Sequence, residues 1–153
     1  MLIRPAIISD AEGMSFVLQE LVAAQKRSGP SDILFICDHY FDNPAMIQCV
    51  VAEGDFGTVL GFQVLLLATK NDIYNVTVGW GVIGTHIRPT AARLGIGKAL
   101  FAKTQKNARA YGIKQIDASI RKDNSAGLAF YEAMGFATYR TSDEIVSKSF
   151  LLS

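Results

Sequence analysis

Two glycines join a predicted strand to a predicted helix in the stretch RPTAARLGIGKALF, residues 88–101. Pro89 cannot donate to a strand ladder, so the strand should end there. The helix that begins beside Gly95 and Gly97 presents backbone N–H groups without helical partners, and its dipole favours negative charge. With Arg93 and Lys98 nearby, the stretch indicates a site for a phosphate or pyrophosphate.

Taken alone, this pattern is equally explained by steric packing of glycines at a strand-to-helix junction. It does not match a P-loop, because it lacks the terminal Gly-Lys-Ser/Thr. A dinucleotide-binding fingerprint would need another glycine where Leu100 stands. The surrounding elements must therefore decide between a binding site and a packing junction.

The charges are distributed unevenly along the chain. Nine Lys and Arg residues lie between His86 and Lys122 with one acid, Asp117, whereas the remainder holds six basic and thirteen acidic residues. This asymmetry favours a small phosphorylated ligand on one side of the molecule. The net charge of +1 and the lack of interleaved aromatic residues disfavour a nucleic acid.

Length and composition predict one domain over residues 1–153 that buries a real core. No apolar run reaches the roughly 18 residues of a membrane span, and the N-terminus lacks the features of a signal peptide. Cys37 and Cys49 are too few for a disulfide scaffold and fit a reducing compartment. We therefore expect a cytoplasmic protein without a membrane partner.

Hydrophobic periodicity predicts the order β-α-α-β-β-β-α-β-α-β-β, a mixed sheet with helices on its faces. A first strand covers 2–7, and a helix follows with Ser9 or Asp10 as its cap. The buried side of this helix is expected on or near Phe16, Leu18, Leu21 and Val22. A poorer helix lies within 31–47, and two strands meet at a turn over 55–57. A long strand is predicted over 74–88.

The C-terminal half continues this alternation. An amphipathic helix should run to about Gly112, with a buried side formed by Phe101, Thr104, Ala108 and Tyr111. IKQIDASI is then a strand, NSAGLAFYEAM a helix, and GFATYR and EIVSKSFLL two closing strands.

The segment NSAGLAFYEAMGF, Asn124 to Phe136, combines a polar start, a short helix carrying Tyr131 and a Gly-Phe turn. Together with the stretch around Gly95, it resembles the GNAT N-acetyltransferase family, whose pattern R/Q-x-x-G-x-G/A is followed by N-x-x-A-x-x-x-Y-E-K-x-G-F. IRPAIISDAEGM and VVAEGDFGTVLGF resemble the family's first strand and helix and its central hairpin. The resemblance thus covers nearly the whole chain.

The resemblance implies an α+β, three-layer acyl-CoA N-acyltransferase fold. Its central sheet is mixed and mostly antiparallel, with about six or seven strands, splayed at the cofactor site and flanked by about four helices. The implied activity is transfer of an acetyl group from acetyl-CoA, as cosubstrate and without a metal, to a primary amine by direct attack. A homodimer, common in the family, is compatible with it.

By the same resemblance, the cofactor would contact three groups of residues. The backbone of Thr85, His86 and Ile87 would pair with the pantetheine arm, and Asn124 and Tyr131 would lie along that arm and near its sulfur. The pyrophosphate would be held by Arg93, Leu94, Gly95, Ile96, Gly97 and Lys98.

Two positions depart from the family pattern. Ala92 occupies the place of the family's Arg or Gln, so Arg93 and the backbone amides must hold more of the pyrophosphate. Gly127 replaces the usual Ala and slightly weakens its helix.

Acyl transfer to an amine requires a base or a water route, because alkyl amines are mostly protonated near neutral pH. His86 is the candidate base by its ordinary pKa, although its side chain could face away from the substrate. The backbone N–H of Ile87 is expected to donate to the developing oxyanion. Tyr131 would be the general acid for the leaving thiolate, because the family places a tyrosine there; its alternative role is packing of its helix.

The acceptor wall is expected over about 24–45, where Asp32, Asp38 and Asp42 stand near Tyr40 and Phe41. Acids beside aromatic residues suit a cationic amine. His39 beside Asp38 has too few companions for a metal site. Three functions remain open: acetylation of a small amine, acetylation of a protein lysine or N-terminus, and acyl-CoA binding without catalysis.

Overall fold

The computed structural model describes residues 1–153 and contains seven strands and four helices. The strands are β1 (Leu2–Pro5), β2 (Met46–Glu53), β3 (Val59–Leu67), β4 (Gly81–Ile87), β5 (Gln115–Arg121), β6 (Ala137–Thr141) and β7 (Ile145–Leu151). The helices are α1 (Ala11–Ala23), α2 (Ile33–Ile36), α3 (Ile96–Tyr111) and α4 (Ser125–Met134), and a π-helical turn at Cys37–Phe41 extends α2. The element order agrees with the sequence prediction.

All seven strands form one sheet in the order β1-β2-β3-β4-β5-β7-β6. Every neighbouring pair is antiparallel except β4 and β5, which are parallel. The predicted mixed, mostly antiparallel sheet is therefore confirmed. None of the helices combines the length and the apolar character that a membrane crossing requires.

The sheet has apolar clusters on both faces. On one face, Met14, Val17 and Leu18 of α1 pack with Ile36 and Phe62. On the other face, Phe101 of α3, Tyr131 of α4 and Phe136, which follows α4, pack among others on β5. Side chains alternate between faces along a strand, so consecutive residues of β4 point toward α1 or toward α3.

The buried face of α1 differs from the one predicted. Phe16 and Val22 are 46% and 39% exposed, whereas Met14 and Val17 are fully buried. The helix begins at Ala11, and spacings of three and four residues from there place Met14 and Leu18 against the sheet. Asp10 makes no side-chain cap bond to α1; it accepts from the N–H of Ile7 at 2.8 Å and pairs with Arg4 at 2.8 Å.

The strand predicted over 74–88 begins later, at Gly81. Asp72 accepts hydrogen bonds from the backbone N–H groups of Tyr74 at 2.9 Å and Val76 at 3.1 Å, which removes these donors from any ladder. Asn75 and Gly79 have φ values of 56° and 94°, a conformation that interrupts a strand. The apolar residues of this segment are therefore part of turns.

The helix α3 ends at Tyr111, as its pattern predicts, because Gly112 adopts φ 95° in the left-handed region. Phe101, Thr104 and Ala108 are buried, but Tyr111 is 58% exposed. The hairpin turn at 55–57 also agrees with the prediction.

Candidate active site

The central strands β4 and β5 separate after a short paired stretch. Only Gly81 with Ile116 and Val82 with Asp117 are partners, although β4 continues to Ile87. On the other side of β4, the N–H of Arg88 donates to the carbonyl of Leu60. Because every second residue of an antiparallel strand hydrogen-bonds to the partner strand, the even-numbered residues of β4 direct their backbone N–H and carbonyl groups to β3. The backbone groups of Thr85 and Ile87 therefore face the gap between β4 and β5.

The backbone N–H groups of residues 93–98 donate to no backbone carbonyl. The first N–H of this helix start that does so is that of Ala99, which donates to the carbonyl of Gly95. Arg93 and Gly95 have φ values of 65° and 77°, which curve the backbone just before α3. Neither Arg93 nor Lys98 takes part in any of the five ion pairs. Unpaired amides and free cations at a helix N-terminus fit a pyrophosphate group.

The two glycines of this segment have different roles. A Cβ on Gly95 would have no atom within 4 Å, whereas a Cβ on Gly97 would overlap Cε1 of Phe130 and lie 3.2 Å from Cδ1 of Ile87. Gly97 is buried. The packing explanation is therefore right for Gly97, which lets α3 approach α4 and β4 closely, while Gly95 lies open to solvent.

Asn124 caps α4 with its side-chain oxygen, which accepts from the N–H of Gly127 at 2.9 Å. A Cβ on Gly127 would lie 2.6 Å from Nδ2 of Asn124. Glycine therefore leaves room for the capping side chain in the orientation that it has here. Asn124 keeps its amide hydrogens for another partner and lies exposed at the end of β5.

Tyr131 lies at the gap between β4 and β5 and is 7% exposed. Its hydroxyl is 2.9 Å from the hydroxyl of Thr85 on β4. Burial raises the pKa of Tyr131 to about 12, and the hydrogen bond with Thr85 acts in the opposite direction. The phenol therefore carries its proton near neutral pH and is able to donate it.

His86 points to the opposite face of the sheet. Its ring lies 4.8 Å from the ring of Phe62 and 6.2 Å from that of Tyr40. Burial, with a smaller contribution from the Arg27 charge, lowers the pKa of His86 to about 3. Such an imidazole is a weak proton acceptor, so the structure argues against His86 as the base.

The model of the acetyltransferase (GNAT) family matches residues 16–136. The chain belongs to this acetyltransferase family.

A curated relative of this GNAT chain is the mycothiol acetyltransferase of Paenarthrobacter aurescens (strain TC1), which is 28% identical over 104 residues. The match covers 68% of this chain but only 31% of that relative.

Solved structures show the same fold over 99% of the chain. The phosphinothricin acetyltransferase from Sinorhizobium meliloti, in complex with acetyl-CoA, has a TM-score of 0.76 at 18% identity and is covered over 88% of its length. The ribosomal-protein-alanine N-acetyltransferase from Brucella melitensis has a TM-score of 0.77 at 17% identity and is covered over 100%.

A cleft of about 480 Å³ lies between the end of α1 and the start of α4 in this GNAT domain. Three basic side chains and one acid line it, together with Asn124: Lys26, Arg27, Arg121 and Asp123. The acids expected at an acceptor wall, Asp32, Asp38 and Asp42, are exposed and do not line this cleft. The cleft is therefore basic, whereas the sequence suggested an acidic wall.

Sequence reasoning noted Asp117 only as the single acid of a basic segment. It is fully buried on β5, where β4 and β5 separate, and accepts from Ser119 at 2.9 Å and Tyr139 at 2.5 Å. Burial raises the pKa of the Asp117 carboxyl above its usual range. The signal was available, because Asp117 occupies the centre of the strand IKQIDASI, where an acid is rarely placed without partners.

Proposed function

We propose that this chain is an acetyl-CoA-dependent N-acetyltransferase that acts on a small primary amine by direct attack. The observation that carries the proposal is the position of the Tyr131 hydroxyl beside Thr85, in the gap that β4 and β5 leave open. Gly97, in the segment of unpaired amides at residues 93–98, lies beside Ile87 at the end of β4. The segment of unpaired amides and the protonated phenol thus both lie beside β4.

Each residue group has a defined role in the proposed reaction. The backbone groups of Thr85 and Ile87 pair with the extended arm of the acyl-CoA, as a further strand would. The amides of residues 93–98, with Arg93 and Lys98, hold its pyrophosphate, and Asn124 donates its free amide hydrogens to the arm. The chain's contribution is to fix the thioester in the gap between β4 and β5.

The chemical step then needs a hydrogen-bond donor to the carbonyl oxygen, a proton for the leaving sulfur and an acceptor for the amine proton. The N–H of Ile87 donates to the carbonyl oxygen as it gains negative charge. Tyr131 gives its proton to the sulfur as the C–S bond breaks. Because His86 is unsuited and Asp117 is fully buried, the amine proton is assigned to water in the cleft.

Two observations support a small amine over a protein. The cleft has a volume of about 480 Å³, within the range of small-molecule sites, and its basic lining favours a neutral amine or one that carries an anionic group over a simple cation. It lies beside Asn124 and next to the helix that carries Tyr131. The structures named above include a phosphinothricin acetyltransferase and a ribosomal-protein-alanine N-acetyltransferase. Experiment must therefore decide between a small amine and a protein as the acceptor.

The proposal is tested by following free thiol while the protein is incubated with acetyl-CoA and a panel of amines. We expect turnover on small amines, and Tyr131→Phe to lower kcat roughly 100-fold or more while acetyl-CoA still binds. Turnover only on peptides would make the chain a protein acetyltransferase. Binding of acetyl-CoA without any turnover would identify a non-catalytic acyl-CoA-binding module, and an unchanged kcat and pH profile in Tyr131→Phe would remove the acid role.

A further inference from the structure

Six polar side chains form a continuous hydrogen-bonded chain through the core, from α4 across the sheet to α3. In order they are Tyr131, Thr85, Gln63, Thr104, Gln48 and Asn107. Gln63 and Thr104 are fully buried. Buried amides cost free energy unless they are satisfied, and this chain satisfies them in a row that leads to the tyrosine of the active site.

The donors and acceptors of this chain run in one direction. Asn107 donates to Gln48 at 2.8 Å, and Gln48 donates to Thr104 at 3.1 Å. Thr104 gives its single hydroxyl hydrogen to the Gln63 carbonyl at 2.5 Å. This bond turns the Gln63 amide nitrogen toward its cross-strand partner Thr85, to which it donates at 2.9 Å.

The direction matters because each hydroxyl has one hydrogen. Thr85 accepts from Gln63 and is 2.9 Å from Tyr131, so its own hydrogen is available for the Tyr131 oxygen. Tyr131 then keeps its hydrogen for another acceptor. If the group at position 63 accepted a hydrogen from Thr85 instead, Tyr131 would have to donate to Thr85, and its proton would not be free.

We propose that Gln63 is a positioning residue, which acts through Thr85 to leave the Tyr131 proton free for the leaving sulfur. The inference rests on the proposed function, in which Tyr131 is the acid. Gln63 does not contact the reacting atoms. It sets the direction of one hydrogen bond, and the resulting donation from Thr85 also stabilises the oxygen of Tyr131 as the proton leaves.

The decisive variant is Gln63→Glu, which keeps the size of the side chain. When the introduced carboxyl is protonated, it can still donate to Thr85; when it is ionised, it can only accept. Burial places this ionisation above the ordinary glutamate range. We expect kcat to approach that of the wild type at low pH and to fall roughly 10- to 100-fold as pH rises, with one new ionisation and an unchanged KM for acetyl-CoA.

Gln115→Glu is the matched control, because Gln115 donates to Ser149 at 3.2 Å outside this chain of side chains. Its profile should follow that of the wild type. Thr85→Val should lose kcat by a similar factor without the new ionisation, and Thr85→Ser should recover it. If Gln63→Glu does not fold, Gln63→Met should lower kcat without a new ionisation while the KM for acetyl-CoA stays the same; wild-type kcat in Gln63→Met would overturn the inference.

A measurement without substrate separates this inference from the proposed function. In Gln63→Glu, the Cζ resonance of isotope-labelled Tyr131 should shift with pH at the midpoint of the new ionisation, and it should not do so in Gln115→Glu. A resonance that does not titrate, or a Gln63→Glu profile that matches Gln115→Glu, would overturn the inference. If the wild type releases no thiol from acetyl-CoA, the proposed function fails, and this titration still decides whether Gln63 controls Tyr131.

Discussion

Gly97 on α3 lies directly against the ring of Phe130 on α4, and there is no room between them for a methyl group. The next residue along α4 is Tyr131, whose hydroxyl meets Thr85. The distance between the two helices therefore sets the position of the phenol in the gap between β4 and β5. The packing contact of Phe130 with Gly97 and the contact of Tyr131 with Thr85 therefore depend on each other.

Gly97→Ala should push α4 away from α3 and β4. Overpacking of this kind costs about 1–3 kcal/mol of unfolding free energy, and we expect kcat to fall because Tyr131 is displaced from Thr85. Adding Phe130→Leu should recover both quantities in part, since it makes room for the methyl group. Chemical denaturation and thiol release measure the two effects.

Gly112→Ala, at the other end of the same helix, is the control for that experiment. A Cβ there meets no atom within 4 Å, but φ is 95°, so only backbone strain of about 1–2 kcal/mol is expected. Phe130→Leu should not rescue this loss. Equal rescue in both backgrounds would show that the contact between Gly97 and Phe130 does not control α4.

Arg93→Ala should raise the KM for acetyl-CoA roughly 3- to 10-fold and leave kcat and the KM for the amine unchanged. Arg93 stands at the unpaired amides, is exposed and has no acidic partner. The effect should shrink as salt is added. Lys106→Ala removes an exposed cation from the middle of α3 and is the control; an unchanged cofactor KM in Arg93→Ala would mean that the amides alone hold the pyrophosphate.

His86 makes folding stability depend on pH. Its pKa is about 3 in the folded protein and about 6.5 in an unfolded chain, so between these values the unfolded state binds one more proton. The imidazole therefore costs stability progressively as pH falls from about 6.5 toward 3, with a slope of about 1.4 kcal/mol per pH unit. His86→Leu should remove this slope from the unfolding free energy measured by denaturation.

Val51→Ala is the control for the histidine, because Val51 does not titrate and belongs to the apolar cluster of Phe62 and Tyr40, the rings beside His86. It should lower stability by a similar amount at every pH. Parallel pH dependences for wild type and His86→Leu would show that the imidazole becomes protonated in the folded protein.

The sequence was sufficient for the parts of the fold that rest on local chemistry. Gly95, Gly112 and Gly135 all adopt the left-handed conformation at helix ends, which is why the bounds of α3 and α4 could be predicted. The start of β4 could not, because Asp72 uses its side chain to bind two backbone amides that an apolar pattern assigns to a strand. The periodicity of apolar residues does not show where a side chain competes with a neighbouring strand for backbone hydrogen bonds.

The same distinction holds for the candidate site. The unpaired amides around Gly95 follow from residue type and local spacing. The relation between Gln63 and Tyr131 does not, because it joins residues on β3, β4 and α4 that are far apart in sequence. The environment of His86 also depends on Phe62 and Tyr40 from other elements, so its ordinary pKa was a poor guide to its role.

In a double-mutant cycle, the effect of Gly127→Ala on the free energy of unfolding should change sign when Asn124 is replaced by alanine. In the wild type, Gly127→Ala places a methyl group against the Asn124 amide and displaces the cap, so we expect a loss of about 1 kcal/mol of unfolding free energy. In the Asn124→Ala background the cap is already absent, and the same substitution should stabilise α4 by about 0.5–1 kcal/mol through its helix propensity. Urea denaturation of the four proteins measures the cycle. Stabilisation by Gly127→Ala in both backgrounds would contradict this account, because the methyl group would then not displace the cap.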